Sequence, residues 1–425
     1  MMSAPRAAYN LLAPLAVAGA HAAGALLPKM REAVAGRRGY HDRWAALANV
    51  LASPPVWFHV ASVGEFEQAR PVISALERVR PDIPVIITFS SPSGYHFARR
   101  RERTDAGSIR FIDYLPFDLP GAMRYCLAKA RPRVLVTVKF DLWPNLVWET
   151  SDAGVPVVLI DATLSPSSGR LRAPAGWIYR DVYRRIARIL AISPDDAARF
   201  ARCAPEHEGI AVTGDTRFDR VMERWNQRAA TAINLVDDGT PTLLAGSTWP
   251  ADEVHLLPAL RGLLDEHPGL RAVLVPHEPA PAHVASLLQW ASDAGASARR
   301  LSEPARGEHV VVVDSVGVLA EAYRLAHVAY VGGAFSTGVH SVIEPAIAGV
   351  PIVFGPRHDN SFEARRLVEL GGGFPASDAA GIRAVFGRLL SDEAARRAAG
   401  DAARAYVESQ LGATEKCMAA ILPYL

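Results

Sequence analysis

Residues 56–65, which read V-W-F-H-V-A-S-V-G-E, decide the fold of this chain. An apolar run rich in β-branched and aromatic residues ends in Ser-Val-Gly, and a helical pattern follows at once. Similar runs recur at residues 83–89, 134–138, 155–160, 189–192 and 210–213, and then at 242–245, 272–276, 310–313, 328–331 and 352–354. Continuous apolar strands that alternate with helices are typical of parallel sheets covered on both faces. The sequence therefore predicts an α/β fold.

The strand pattern falls into two sets, and 425 residues are too many for one ordinary domain. We therefore predict two doubly wound, Rossmann-like parallel-sheet domains that face a cleft, preceded by an apolar helix. The predicted segments are 1–43 (apolar helix and basic segment), 44–222 (first domain), 223–240 (linker) and 241–425 (second domain with a C-terminal helix). Because ligands bind at the carboxyl ends of strands in such sheets, we expect the functional residues there.

Composition excludes several classes of protein. Half of the residues are hydrophobic and 21% are charged, which excludes wholesale disorder. The 46 basic and 44 acidic side chains give a net charge of +2, too balanced for a protein that coats nucleic acid. The three cysteines form no C-x-x-C pattern, so we predict neither a disulfide framework nor a cysteine zinc site.

The N-terminal region has an uncharged segment, residues 7–27, between Arg6 and the cations Lys29 and Arg31. Its length is about that of a bilayer span. Three interpretations remain open: a membrane anchor or interfacial helix, a helix packed on its own domain, and an export signal. The basic residues that follow, up to position 43, suit either an anionic bilayer surface or a solvated loop.

Three short motifs at predicted strand ends carry charged side chains. Glu65 follows a glycine turn and is either a helix cap, favoured by the helix dipole, or a general base. We expect Pro71 in the first turn of the helix that follows. Asp141 lies in K-F-D-L-W-P-N and is either functional or part of a surface ion pair beside a buried tryptophan. Arg217 lies in G-D-T-R-F-D and either binds phosphate or carboxylate or belongs to an Asp–Arg turn network.

A longer loop, residues 330–345 (Y-V-G-G-A-F-S-T-G-V-H-S-V-I-E-P), follows a strand of the second domain. Its glycines allow backbone N–H groups to approach an anion, and a helix beginning at Pro345 would add partial positive charge. Glu344 is suited to accept hydrogen bonds from ribose hydroxyls. The pattern is neither G-x-G-x-x-G nor a P-loop, so it disfavours hydride transfer and P-loop chemistry but predicts nucleotide binding. The nearby histidines, His277, His340 and His358, lack metal-ligand spacing and are interpreted as hydrogen-bonding loop residues.

Taken in order, these motifs resemble a known family. S-V-G-E, F-D-L-W-P-N, G-D-T-R-F-D, G-S-T, G-G-x-F-x-x-G-x-H-x-x-x-E-P and F-G-P together look like the 3-deoxy-D-manno-octulosonic acid (Kdo) transferases of lipopolysaccharide assembly. The resemblance implies a GT-B glycosyltransferase that moves Kdo from CMP-Kdo to a lipid A precursor, lipid IVA, with inversion and without a metal or other cofactor. It also implies the cytoplasmic face of the inner membrane as the location, with the membrane surface as a partner and no role for nucleic acid.

The resemblance assigns roles motif by motif. Glu65 resembles the general base, while Asp141 and Arg217 fall where the family has transition-state-stabilising groups, usually a glutamate and a lysine. The implied CMP contacts are Pro276, His277, Gly317, Val318, Leu319, Ser341, Val342, Ile343 and Glu344. His277 stands where arginine is common and Ser341 where asparagine is common. Two alternatives remain: another GT-B enzyme that uses a UDP-sugar for glycosyl transfer or epimerisation, and a catalytically inactive sugar-nucleotide-binding protein.

Overall fold

The computed structural model describes residues 3–102, 107–227, 234–235 and 239–425, and the chain forms two compact units. The first comprises Met1–Arg220 and Leu411–Leu425, and the second comprises Val221–Gln410. Parts of the predicted linker, residues 228–233 and 236–238, lie outside the described residues. The first part of that linker is helical, because one helix runs through to Asn226.

The first unit contains a seven-stranded parallel sheet in the order β3-β2-β1-β4-β5-β6-β7. Its strands are β1 (Val56–Val60), β2 (Val85–Phe89), β3 (Ile109–Tyr114), β4 (Val134–Val138), β5 (Val157–Ala162), β6 (Arg188–Ala191) and β7 (Ile210–Val212). Its helices are α1 (Ala4–Leu26), α2 (Pro28–Arg37), α3 (Tyr40–Ala45), α4 (Val63–Val79), α5 (Pro92–Arg101), α6 (Pro120–Ala130), α7 (Pro144–Asp152), α8 (Ala175–Arg184), α9 (Pro194–Cys203) and α10 (Thr216–Asn226), and after the second unit α18 (Ala413–Ile421). The strand order reverses between β1 and β4, so ligands are expected beyond the ends of these two strands.

The second unit repeats the architecture in the order β10-β11-β9-β8-β12-β13-β14. Its strands are β8 (Thr242–Thr248), β9 (Arg271–Pro276), β10 (Ala298–Arg300), β11 (Val310–Val312), β12 (Val328–Val331), β13 (Ile352–Phe354) and β14 (Gly373–Pro375). Its helices are α11 (Pro250–Glu266), α12 (Pro281–Asp293), α13 (Leu319–Ala322), α14 (Ile343–Ile347), α15 (Phe362–Glu369), α16 (Ala379–Ser391) and α17 (Glu393–Ser409). Here the order reverses between β8 and β12. The predicted fold class, two doubly wound parallel-sheet domains of the GT-B type with an N-terminal apolar helix, is confirmed.

The C-terminal helix departs from the predicted domain organisation. Residues 411–425, which we assigned to the second domain, belong to the first unit. The reason is apolar burial: Cys417, Met418 and Ile421 of α18 lie in the core on one face of the first sheet, together with Phe66 of α4. The backbone N–H groups of Gly412 and Thr414 donate to Asp219 of α10, which fixes the start of the helix.

Two helices begin earlier than predicted. Pro71 lies in the middle of α4, whose first residue is Val63, rather than in its first turn. The helix predicted to begin at Pro345 begins at Ile343 and contains only five residues. A single turn has a much smaller dipole than a long helix, so α14 gives weaker electrostatic support to an anion than we predicted.

Candidate functional site

Glu65 lies in the first turn of α4, directly beyond the carboxyl end of β1. Its Oε2 accepts hydrogen bonds from the backbone N–H of Ser62 at 2.8 Å and from the Ser62 hydroxyl at 2.9 Å. The side chain is buried, with 5% of its surface exposed. Of the two interpretations, helix capping is thus present in the structure, and it occupies only one of the two carboxylate oxygens.

Asp141 follows β4, the neighbour of β1, and is held by a buried histidine. His59 of β1 is fully buried, and its Nε2 lies 2.9 Å from Asp141 Oδ2. The Ser90 hydroxyl donates to the same oxygen at 2.9 Å. Burial alone would raise the pKa of Asp141, but the His59 and Ser90 bonds outweigh it and hold that pKa below its usual range. Asp141 is thus a carboxylate at neutral pH, paired with His59 rather than with Lys139.

A second bond fixes the orientation of His59. Its Nδ1 lies 3.0 Å from the Thr88 hydroxyl, which also accepts from Trp57 Nε1 at 2.8 Å. Because a carboxylate can only accept, His59 donates from Nε2 to Asp141, and in the neutral ring Nδ1 then accepts from the Thr88 hydroxyl. No sequence motif assigned a role to His59. A histidine within an otherwise apolar strand run was the available signal.

Arg217 lies near the start of α10 and is tied to Asp215. Its Nε and Nη2 atoms lie 2.8 and 2.7 Å from Asp215 Oδ2, and Gln68 of α4 donates to Asp215 Oδ1 at 3.3 Å. The Asp–Arg turn network that we considered is therefore present. Gln68 is one turn beyond Glu65, so α4 connects the Glu65 region to the Arg217 region within the first unit.

A large cavity opens in the first unit next to Asp141. It has a volume of about 900 Å³ and is bounded by α1, α2, α5 and the segment after β4. Its lining includes the apolar side chains Ala13, Val17, Met30, Leu115 and Phe117, the cations Lys29, Arg37 and Arg100, and the polar or aromatic residues Ser90 and Trp143. Since Ser90 lines the cavity and bonds to Asp141, one side chain separates the cavity from the predicted catalytic carboxylate.

The glycine-rich loop of the second unit is built differently from our prediction. Its backbone N–H groups donate within the protein: Gly332 to the Gly246 carbonyl, Gly333 to Asp252 Oδ2, and His340 to the Gly332 carbonyl. Asp252 of α11 is fully buried and also accepts from Trp249 N at 3.0 Å. The prediction that the paired glycines form an anion cradle is wrong, because their donors are already used. The glycines instead permit close packing, since a Cβ at Gly332 would lie 2.2 Å from the Ser247 carbonyl oxygen.

Three aromatic rings stack at the carboxyl edge of the second sheet. The ring of His277, after β9, lies 4.5 Å from that of Trp249 and 4.6 Å from that of His340. Trp249 Nε1 donates to His340 Nε2 at 2.9 Å, so this nitrogen is an acceptor. Burial and the neighbouring His277 lower the pKa of His340, which keeps it neutral.

The other predicted nucleotide contacts lie in the same unit. Pro276 is the buried last residue of β9. Gly317 has a positive φ of 90° and, with Val318 and Leu319, leads into α13. Ile343 and Glu344 are the first two residues of α14, and Ser341 and Val342 directly precede them; the Ser341 hydroxyl donates to Glu344. Glu344 also lines a small pocket with Arg324 and Trp225.

A metal site was not predicted. Among residues 3–102, 107–227, 234–235 and 239–425, no three His, Cys, Asp or Glu side chains are grouped so as to hold an ion. The three cysteines are free and buried.

Replacing Asp141 by asparagine is expected to lower the free energy of unfolding at pH 7 by about 1–2 kcal/mol, because the bond from a buried histidine then has a neutral acceptor in place of a carboxylate. Since the pKa of Asp141 is depressed in the folded protein, this contribution is present above the ordinary aspartate pKa and disappears as the pH falls through the lowered value. Urea denaturation of both proteins at pH 7 and near pH 3 measures the difference. A difference that does not shrink in acid would contradict the assignment of a charged Asp141.

Comparisons with known proteins identify one family. The family model described as "3-Deoxy-D-manno-octulosonic-acid transferase (kdotransferase)" matches residues 33–220. A 3-deoxy-D-manno-octulosonic acid transferase from Bordetella pertussis is 30% identical over 392 residues, covering 90% of both chains. The transferase of the same name from Haemophilus influenzae is 26% identical over 405 residues, covering 94% of this chain and 92% of the relative.

Among solved structures, UDP-GlcNAc 2-epimerase from Neisseria meningitidis superimposes with a TM-score of 0.64 at 14% identity, covering 87% of this chain and all of the other. A putative UDP-N-acetylglucosamine 2-epimerase from Listeria monocytogenes superimposes with a TM-score of 0.59 at 13% identity, covering 87% of this chain and 96% of the other. At such identities the likeness shows the fold alone. The transferases, in contrast, match nearly the whole sequence. The chain belongs to the family of the 3-deoxy-D-manno-octulosonic acid transferases of lipopolysaccharide biosynthesis.

Proposed function

We propose that this protein transfers Kdo from CMP-Kdo to lipid IVA in a single inverting displacement, without a metal or other cofactor. The observation that carries the proposal is the cavity beside Asp141, because it combines the two properties that a phosphorylated lipid requires. Its apolar side, with Val17, Met30 and Phe117, suits acyl chains, and its cations, Lys29 and Arg100, suit phosphate groups.

The proposed general base is Glu65, which would accept the proton of the acceptor hydroxyl. Its Oε2 holds the two Ser62 donors, so Oε1 is the oxygen assigned to the acceptor. Val63, two residues before Glu65, lines the acceptor cavity, which supports this placement. A base within hydrogen-bond reach of the attacking hydroxyl typically contributes about 10²–10⁴-fold to the rate.

Asp141 and Arg217 are the proposed stabilising groups. Asp141 carries a fixed negative charge that suits the positive charge developing on the sugar ring, and Arg217 supplies a guanidinium for carboxylate or phosphate oxygens. Donor binding is proposed for the second unit, where the exposed His277 stacks on Trp249 and His340, and Glu344 is suited to ribose hydroxyls.

The deciding experiment is incubation of the purified protein with CMP-Kdo and lipid IVA, with mass spectrometry counting the sugars added. We expect Kdo-containing lipid, at a rate that EDTA leaves unchanged. Calorimetry with CMP and UDP separates the alternatives. Preferential UDP binding would favour a UDP-sugar enzyme, whereas CMP binding without transfer would favour an inactive binding protein.

We further propose that α1 lies on the cytoplasmic surface of the inner membrane instead of crossing it. The helix is long and apolar enough to span a bilayer. However, its N-terminal half is bonded to the first unit: the Ser3 hydroxyl donates to Asp181, Arg6 pairs with the buried Glu149 at 2.8 Å, and the Tyr9 hydroxyl donates to Asp118. A spanning orientation would break these bonds and leave buried charges without partners.

The opposite face of α1 gives the test of this orientation. Leu11, Leu12 and Leu15 are 58–77% exposed. Changing all three to glutamate is expected to weaken binding to phosphatidylglycerol-containing vesicles at least about 100-fold, because each buried leucine contributes about 1.5–3 kcal/mol. Vesicle sedimentation measures the effect, and Val254→Glu, at a site 69% exposed in the second unit, is the matched control. Unchanged sedimentation of the triple variant would contradict a surface-bound α1.

A further inference from the structure

Two buried carboxyl groups lie beside Arg217, and they have different hydrogen-bond partners. Asp161 is at the end of β5 and is fully buried, and Asp215 is in the turn before α10 with 6% of its surface exposed. Thr216, also fully buried, lies between them in the bond network. Two charges of one sign so close together in a buried place are strongly disfavoured, so one carboxyl group is expected to keep its proton.

Asp215 is the charged member of the pair. Its Oδ2 accepts from Arg217 Nε and Nη2, and its Oδ1 accepts from the Arg217 backbone N–H at 2.9 Å and from Gln68 Nε2. Burial alone would raise the pKa of Asp215, but the charge and hydrogen bonds of Arg217 outweigh it and lower that pKa.

Counting protons identifies the neutral member. The Thr216 hydroxyl oxygen lies 2.7 Å from the Gln68 carbonyl oxygen and 2.5 Å from Asp161 Oδ2. Each of these two oxygen–oxygen contacts needs a proton, and Thr216 has one hydroxyl proton. A carbonyl has no proton to give, so the second proton comes from Asp161. Asp161 then donates to Thr216 Oγ1 and accepts the Thr216 backbone N–H on Oδ1 at 2.9 Å.

We propose that Asp161 is a positioning residue that works as a neutral carboxylic acid, whose proton fixes Thr216 and thereby the turn that carries Arg217. Thr216 is the residue between Asp215 and Arg217, so its two side-chain bonds attach this turn both to β5 and to α4. The consequence for transfer rests on the role of Arg217 proposed above, whereas the protonation of Asp161 does not.

The surroundings of Asp161 determine the pH at which it loses its proton. The titratable and charged groups that face it are Asp215, Arg217, and the Cys417 thiol of α18 with the neighbouring Asp219. Burial, followed by the negative charge of Asp215, raises the pKa of Asp161 to about 8. Above that pH Asp161 becomes an anion beside Asp215, its bond to Thr216 loses its proton, and the turn is expected to loosen.

Asp161→Asn tests the proposal, because the amide supplies a permanent N–H donor in place of the carboxyl proton. Asparagine also tolerates the positive φ of 48° at this position. Folding forces Asp161 to keep a proton at pH values where the unfolded chain would release it. The free-energy cost of keeping this proton grows as the pH rises from the ordinary aspartate pKa towards the raised one. Asp161→Asn avoids this cost, so the variant is expected to melt at a higher temperature than the wild-type protein. We expect that gain to increase from pH 5 to pH 8 and to reach at least about 2 °C. The alkaline fall in kcat is expected to move up by about one pH unit or more.

Asp215→Asn is the matched comparison and is expected to do the opposite, lowering both the melting temperature and kcat. Thr216→Val should lower kcat and Thr216→Ser should restore it, since only the hydroxyl is required. Infrared spectroscopy of the wild-type protein near pH 7 should show a protonated-carboxyl band that Asp161→Asn lacks. Absence of that band, or loss of stability in Asp161→Asn like that in Asp215→Asn, would overturn the proposal. The spectrum and the melting temperatures do not depend on Kdo transfer, so they separate failure of this inference from failure of the proposed function.

Discussion

Replacing Glu65 by glutamine is expected to lower the turnover of Kdo transfer by about 10²–10⁴-fold, while the protein keeps its fold. Glutamine retains the oxygen that accepts the two Ser62 hydrogen bonds, and it is a common residue at this position of a capping box. It has no basic carboxylate, however, and so cannot take the proton of the acceptor hydroxyl. The measurement is kcat with CMP-Kdo and lipid IVA, together with a thermal melt of each protein.

Ser62→Ala is the control for this prediction, because it removes one partner of the Glu65 cap and leaves the carboxylate in place. We expect a loss of about 1 kcal/mol in the free energy of unfolding. Its effect on kcat should be much smaller than that of Glu65→Gln. If a well-folded Glu65→Gln protein transfers Kdo at nearly the normal rate, Glu65 acts only as a helix cap.

Replacing Asp252 by alanine is expected to produce the largest loss of stability, about 3–5 kcal/mol in the free energy of unfolding. The carboxylate accepts from the backbone N–H groups of Trp249 and Gly333 and from the Tyr330 hydroxyl. Alanine leaves these donors without their acceptor, each at a cost of about 1–3 kcal/mol. Urea denaturation of the full chain measures the change.

Asp252→Ala is also expected to bind CMP at least about tenfold more weakly than the wild-type protein. Asp252 fixes the loop that leads to the predicted nucleotide contacts at Ser341 and Glu344. Calorimetry with CMP checks this loss. Asp265→Ala, at an exposed site on the same helix, is the control and should change stability by less than about 0.5 kcal/mol. If Asp252→Ala is as stable as that control, the loop does not depend on the buried carboxylate.

The sequence predicted the interior strands of both sheets and missed three of the four edge strands. The strands that the pattern did not reveal, β3, β10 and β14, all lie at a sheet edge. Edge strands need less apolar surface: β3 contains Arg110 and Asp113, and two of the three residues of β10 are arginines. Without a continuous apolar run, neither the periodicity of hydrophobic residues nor the local composition indicates a strand.

The candidate site was predicted in part, since local motifs identify side chains but not their partners. Glu65, Asp141 and Arg217 were found because each follows a predicted strand. His59, the partner of Asp141, lies on the neighbouring strand β1, a pairing that only the structure shows, whereas Asp215 lies two residues before Arg217. The glycine loop was misinterpreted for the same reason: its N–H acceptor Asp252 lies 81 residues earlier in the chain.

The return of α18 to the first unit also affects biosynthesis. A ribosome completes residues 221–410 before it adds the segment whose Cys417, Met418 and Ile421 cover one face of the first sheet. Until then, the nascent first unit exposes an apolar surface around Phe66. Chaperones bind such surfaces, and exposed apolar surfaces also promote aggregation. Expression of residues 1–220 alone would keep that surface uncovered permanently, so the first half should be produced together with the last fifteen residues.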